Sequence, residues 1–378
     1  MESMITRFYN TSDRFVVKSK GCYQYDSTGK EYIDFESGVW CVNIGHNHER
    51  IRQTIERQMN ESFHHGYRFR NSQAEALSQK LLQLIGFDNG SSVFLSSGSE
   101  AVNLAITLAR HLTKRKKVLK IEDTYLSAYG FGRISDENDL LVSVNDRESI
   151  DFSEISALVL ETGGASLAPV RFPGYEFVKK LTETAIQNNC YIIAEEVTTG
   201  MGRTGKWFGF QYYDVKPHIV VTGKGLGNGF PVSAVTLDGE TTQAFESNPF
   251  RYAQSHQNDP LGCAIANEVI KIIEDEGLIQ SCNEMGWYFK EQLKRLKAMY
   301  SSKVKEIRAK GLMLAIEFES DVDAEKIGNR LFDGGFIVGY KANALRFLPP
   351  LVIKKADIDR LIHHIILTLN DKTNYKSS

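Results

Sequence analysis
The chemistry of this chain starts at two short apolar runs, residues 191–194 and 219–221, and at the polar residues that follow them. Glu195 and Glu196 close the first run; Thr222, Gly223 and Lys224 close the second, with Gly225, Gly227 and Gly229 just beyond. Both runs have the length and β-branched content of buried strands. Ligands of an open parallel sheet bind at the carboxyl ends of its strands. An acid on one strand end and a glycine-flanked lysine on another can therefore face one pocket, where a desolvated lysine becomes a nucleophilic amine. Plainer roles compete: a solvated loop lysine, or a glycine turn without chemistry. A third competitor is GMGRTGKW at 200–207, close to the phosphate-binding GxxxxGK[ST]. Trp207 stands where the magnesium-binding hydroxyl belongs, and WFGFQYY does not read as the required helix.

Alternating elements must hold these residues. Residues 1–47 alternate through Phe15, Cys22–Tyr25 and Tyr32–Phe35 around a DSTG turn, the pattern of a small antiparallel meander. Helical spacing covers 48–60, and Ser72-Gln-Ala-Glu75 reads as a capping box opening a helix to about residue 85. Arg68 and Arg70 lie between these two helices, as solvated charges or as carboxylate receivers. Strand 93–95 runs into SSGSEA and a helix through Arg110; such a helix start is either an ordinary serine cap or an anion site. Strands at 118–121 and 157–161 and a helix at 175–188 continue the alternation. Short apolar strands alternating with helices predict a mostly parallel, doubly wound α/β sheet. Helices at 261–274, 283–299, 324–332 and 356–369, with strands at 312–317, 336–338 and 345–347, predict a smaller α+β unit after it. The expected division is an N-terminal lobe of the small domain (1–47), a large domain (48–274) and a C-terminal small domain (275–378).

Composition narrows the class. At 378 residues and 42% hydrophobic, the chain can bury one large core and a second, smaller one. A net charge of −2 gives no reason to expect a nucleic-acid partner. The sequence has no signal peptide and no apolar run near 18 residues, so a cytoplasmic protein off the membrane is expected. Cys22, Cys41, Cys190, Cys263 and Cys282 are scattered, without CxxC, and read as reduced thiols with no zinc or other metal site.

The strings EEVTTGMGRTGKWFGF and YDVKPHIVVTGKGLGNGFPVSAV resemble the signature of class III (ornithine/4-aminobutyrate-type) aminotransferases. Matching motifs recur from about Gly21 to Leu351. The resemblance implies fold type I, dependence on pyridoxal phosphate (PLP), and a Schiff base between PLP and Lys224. It assigns Gly98 and Ser99 to the phosphate, Tyr125 and Val197 to the two faces of the ring, and Thr198 to the neighbourhood of the ring hydroxyl. Ser255, in SHQNDPL, would reach the phosphate of the other subunit of a homodimer with shared active sites. Arg346, in ALRFLPPLVI, would meet the substrate carboxylate, and Trp40 and Cys41 would line the pocket. Four departures stand out: Glu195 replaces the family's aspartate at the pyridine nitrogen, Leu126 and Ser127 replace His-Gly after Tyr125, Ala128 replaces the arginine of acetylornithine-type members, and Thr198 replaces a frequent glutamine. The implied reaction moves an amino group between an amine or amino acid and a 2-oxo acid. A PLP-dependent racemase or aminomutase shares every one of these motifs; a P-loop phosphate binder and a non-catalytic PLP-fold protein stay open beside it.

Overall fold
The computed structural model describes residues 5–6, 8, 11–122, 124–133, 139–143, 150–164 and 170–371. A seven-stranded sheet runs in the order Ser91–Leu95, Ser233–Leu237, Ile219–Thr222, Tyr191–Glu195, Ile155–Glu161, Lys117–Ile121, Asp139–Val142. The pairings from Ile219–Thr222 to Asp139–Val142 are all parallel. Ser233–Leu237 alone is antiparallel to its neighbours. The expected mostly parallel sheet is there, with one reversed strand that sequence reading left unassigned.

Successive side chains of a strand point to opposite faces, and the central strands divide their residues accordingly. Ala157, Val159, Ile193 and Val221 pack with Ala101, Val102, Ala105 and Leu108 of helix Gly98–Thr113. Leu158, Leu160 and Ile192 pack the other way, with Val178, Leu181 and Ala185 of helix Tyr175–Gln187. Helices on both faces make the sheet doubly wound. Because Glu161 and Glu195 share the parity of Val159 and Ile193, both carboxylates leave the sheet on the face of helix Gly98–Thr113.

A second sheet orders Val304–Lys310, Met313–Phe318, Ala344–Phe347 and Gly339–Lys341, all antiparallel. The N-terminal strands Val16–Lys20, Tyr23–Asp26 and Glu31–Asp34 form the expected meander, and Phe336–Ile337 joins its edge in parallel. The two ends of the chain thus share a sheet. Element bounds shift in places. Helix Ser72–Ile85 is capped by Asn71, whose side chain accepts from the amides of Gln73 and Ala74, so Ser72 is already helical. Helix Leu278–Met299 starts earlier than its spacing suggests. Residues 372–378 lie outside the described residues.

The stretch 200–207 forms turns, with no helix of a P-loop behind it. Lys206 is exposed and donates to the carbonyl of Gln211 at 2.8 Å. Arg203 is fully buried. Its guanidinium donates to the carbonyls of Leu312 (3.1 Å) and Pro349, to Ser37 Oγ (3.1 Å) and to Asn43 Oδ1 (2.7 Å). A buried charge needs such partners. What they hold is unusual. Ser37, Gly38, Val39 and Trp40 have φ of 41°, 58°, 58° and 67°, a left-handed turn that includes a β-branched residue. Each non-glycine residue there costs roughly 1–2 kcal/mol, and surrounding structure must over-determine such a conformation. It does so: Asp34 accepts from the amides of Glu36 and Gly38, both at 2.8 Å, and Ser37 Oγ donates to the carbonyl of Leu348 at 2.7 Å. The turn delivers Trp40 to the site described next.

All five cysteines are unpaired. No helix among the described residues is long and apolar enough to cross a membrane.

Candidate active site
Strands Tyr191–Glu195 and Ile219–Thr222 are adjacent and parallel, so their carboxyl ends open side by side. Lys224 follows the second, one residue into a tight 3₁₀ turn, with φ 42°. Its ammonium donates to Thr198 Oγ1 at 2.7 Å and lies 4.6 Å from the centre of the Trp40 ring. Burial pushes its pKa down, while Glu195 and Glu161 pull the other way. Burial has the larger effect, and the amine is held toward its neutral form.

Glu195 is 2% exposed. Its Oε1 accepts from the amide of Val197 at 3.1 Å, and its Oε2 has no partner. Desolvation pushes its pKa up to about 8. Glu196 is the opposite case. It accepts from Thr199 Oγ1 (2.7 Å) and from the amides of Gly209 (2.7 Å) and Phe210 (2.8 Å). Those bonds turn Glu196 into a brace for the 199–210 turns and leave Glu195 as the carboxylate with an open oxygen. An unpartnered buried oxygen is costly, and a protonated pyridine ring is the kind of donor that would satisfy it.

The helix start expected to meet the phosphate also has donor groups to spare. Ser97 caps helix Gly98–Thr113, and Glu100 returns to the amides of Ser96 (3.0 Å) and Ser97 (2.8 Å). This capping box consumes two of the free N–H groups. The amides of Gly98 and Ser99 have no partner among the described residues. Ser99 Oγ accepts from the amide of Ala128 at 3.0 Å, which leaves its own proton to donate. A Cβ on Gly98 would come 2.8 Å from Val197 Cγ1. Only glycine lets the helix start approach Val197 that closely. Tyr125 is anchored through its amide to Glu161 Oε2 at 3.1 Å. Its ring is 39% exposed and free to cover a ligand.

Arg346, on strand Ala344–Phe347, places its guanidinium carbon 4.7 Å from the centre of the Trp40 ring. Its Nε is 3.4 Å from Glu36 Oε1. Trp40 Nε1 also points to Glu36 Oε1, at 3.5 Å. Trp40 therefore has two cationic neighbours, Lys224 and Arg346, stacking that suits its electron-rich face. Cys41 sits beside this group, its thiol pKa raised by burial and lowered by Lys224. Arg70 is elsewhere, paired with Glu75 at 3.0 Å. Ser255 is exposed, and no hydrogen bond among the described residues ties it to Gly98 or Ser99.

Sequence reading missed Glu36 and Glu161. Glu161 carried the same signal as Glu195, an acid closing an apolar run. It sits in register with Glu195 on the neighbouring strand, and burial holds its pKa well above the usual carboxylate range. Glu36 gave no such sign, since its partner is 310 residues away.

The profile of the class-III aminotransferase family matches residues 5–132 and 133–369. An acetylornithine aminotransferase of Aquifex aeolicus is 32% identical over 92% of this chain and 94% of its own. That of Bacillus subtilis is 31% identical over 94% of this chain and 95% of its own. The crystal structure of a Bacillus anthracis aminotransferase, 28% identical, superposes with a TM-score of 0.88 over 97% of this chain and 95% of its own. A lysine and a carboxylate closing adjacent strands, an anion-ready helix start and this likeness over nearly the whole length agree: the chain belongs to the class III aminotransferases, and is a fold-type I, pyridoxal-phosphate-dependent aminotransferase.

Proposed function
We propose that Lys224 carries the cofactor and then shuttles a proton while an amino group passes from an amine or amino acid donor to a 2-oxo acid. One observation carries the reading: a buried amine held toward neutrality faces a buried carboxylate whose second oxygen lacks a partner. When bound, PLP supplies an electron sink for the substrate carbon. The chain's residues do the rest. Gly98 and Ser99 offer two amides and a hydroxyl to the phosphate, with the helix dipole behind them. Val197 and Tyr125 would hold the ring from opposite faces. Glu195 would accept from the ring nitrogen and keep it protonated. Thr198 orients the Lys224 amine, which is positioned to take a proton from one carbon and return it to another. Arg346 would take a substrate carboxylate, releasing Glu36, with Trp40 as the flat wall between Arg346 and Lys224.

Ala128 leaves acetylornithine-type recognition without its second arginine, so donors that need only one carboxylate contact suit the pocket better. Five unpaired thiols fit a reducing compartment, and a cytoplasmic enzyme is the proposed setting.

The transferase reading is tested by withholding the acceptor. Given an amino donor alone, the enzyme should release one equivalent of oxo product per site and stop until a 2-oxo acid is added. Sustained turnover without acceptor would instead identify a racemase or aminomutase.

The exposure of Ser255 supports a homodimer in which this hydroxyl serves the partner's phosphate site. Lys224→Ala and Ser255→Ala chains, refolded or co-expressed together, should form heterodimers with one site carrying both defects and one carrying neither. Activity at limiting PLP should exceed that of either parent. Heterodimers no more active than the parents would rule out the cross-subunit role.

A further inference from the structure
Outside the active site, two segments distant in sequence bring metal-ligating groups together. His64 comes from the loop after helix Glu49–Glu61, His256 from the turn that follows Ser255, and Asp259 from the residue before helix Pro260–Asp275. His64 Nδ1 lies 2.5 Å from Asp259 Oδ1, and His256 Nδ1 lies 2.5 Å from Asp259 Oδ2. The two imidazole rings have centroids 5.0 Å apart. One donor atom from each residue falls within 4.8 Å of the other two.

We propose that His64, His256 and Asp259 form a site for a divalent transition-metal ion of the zinc type. Two imidazole nitrogens and one carboxylate oxygen are the donor set of a three-ligand zinc centre, with water in the fourth position. At zinc–ligand distances of about 2.0–2.2 Å, tetrahedral donors stand roughly 3.4 Å apart. Separations between 2.5 and 4.8 Å need only small side-chain rotations to reach that spacing. Each neutral imidazole would move its proton from Nδ1 to Nε2 and present the freed lone pair. Three coordination bonds to the protein then replace waters of the hydrated ion, leaving one water in the fourth position.

Asp259 gives an independent sign that the cluster is built. An aspartate in the N-cap position ordinarily accepts from amides of the first helical turn. Asp259 makes no such bond, and both its oxygens face the two histidines. The support beneath is firm: Asn258 exchanges backbone and side-chain bonds with Phe94, both at 2.9 Å, and Asn71 donates to its carbonyl at 2.7 Å. Only His256 and Asp259 are close in sequence; His64 joins them across 195 residues, so no metal motif is visible locally. The ion would pin the turn that carries Ser255 to the strand leading into the phosphate turn, and the site stands whatever the substrate.

The test uses full-length, PLP-loaded protein stripped of metal by a chelator, then titrated with Co²⁺ as a visible probe. One equivalent per chain should bind and develop tetrahedral d–d absorption at longer wavelength than the cofactor band, and Zn²⁺ should displace it. Losing outer-sphere support alone weakens metal sites about 10- to 100-fold. His64→Ala/His256→Ala should therefore lose more than that, with far-UV dichroism unchanged. Asp259→Asn keeps a helix-capping side chain and should also weaken binding, so a misfolded double variant would not shield the proposal. No d–d band, or equal affinity in wild type and both variants, would overturn it.

Discussion
Lys224→Ala is expected to leave a folded protein that retains PLP without a covalent link and turns over at no more than about 10⁻²–10⁻⁴ of the wild-type rate. That range is the usual worth of a positioned acid–base group. The loss arises because no neighbour can substitute. Thr198 has no basic atom, Arg346 cannot release a proton at working pH, and Lys206 is on the surface bonded to Gln211. Borohydride treatment of the wild type should fix the cofactor to the peptide containing Lys224. Recovery of the label at Lys206 would transfer the role and sink this assignment.

Glu195→Gln carries the second large effect. A hydrogen bond to a charged group is worth about 1.5–3 kcal/mol, or roughly 10- to 150-fold in rate if it acts only in the transition state. Proton transfer should slow by that factor while PLP stays bound. Glu195→Asp should keep much of the activity, limited by the shorter reach. Should Glu196→Gln abolish proton transfer while Glu195→Gln spares it, the roles are reversed. A second readout needs no cofactor. Burial pushes Glu195 up to about 8 and Glu196 up to about 7, from an ordinary value near 4.5. Between these values the folded protein holds protons that the unfolded chain has released. The contribution of these two groups to cofactor-free stability therefore falls as pH rises from about 4.5 to 8. Glu195→Gln should flatten that slope in thermal melts, and a cationic ring at Glu195 should flatten it in the wild type.

What the sequence made legible is what short stretches encode. The end of strand Tyr191–Glu195, the Gly223–Lys224 turn and the Ser97–Gly98 helix start each contain their own instructions in a few residues. Glu195 is set apart from Glu196 only by the resemblance, which puts it at the family's aspartate position. The remainder depends on distance. Glu36 and Arg346 meet across 310 residues, and Arg203 reaches Ser37 across 166. Neither contact leaves a local pattern. Strand Ser233–Leu237 is as apolar as its neighbours, so nothing in its residues tells its direction. Val39 and Trp40 are among the last residues one would place at positive φ, and only the assembled clamp makes the turn tolerable. His64 likewise meets Asp259 across 195 residues, and the neighbouring His256–Asp259 pair alone makes no metal motif.

That left-handed turn also makes one wall of the site depend on both ends of the chain. Asp34 braces it locally, while Ser37 Oγ is also held by Arg203 and by the carbonyl of Leu348, and Arg203 is itself bonded to the carbonyls of Leu312 and Pro349. Closing loops that long carries an entropic cost before any bond forms. Trp40 can take its place only after the large sheet, the C-terminal strands and the N-terminal meander have come together. The strands that lead to Glu195 and Lys224 are neighbours in sequence and in the sheet, whereas the wall facing them needs residues from both ends of the chain. A C-terminally shortened chain would lack Leu348 and Pro349, and with them the clamp that brings Trp40 against Lys224.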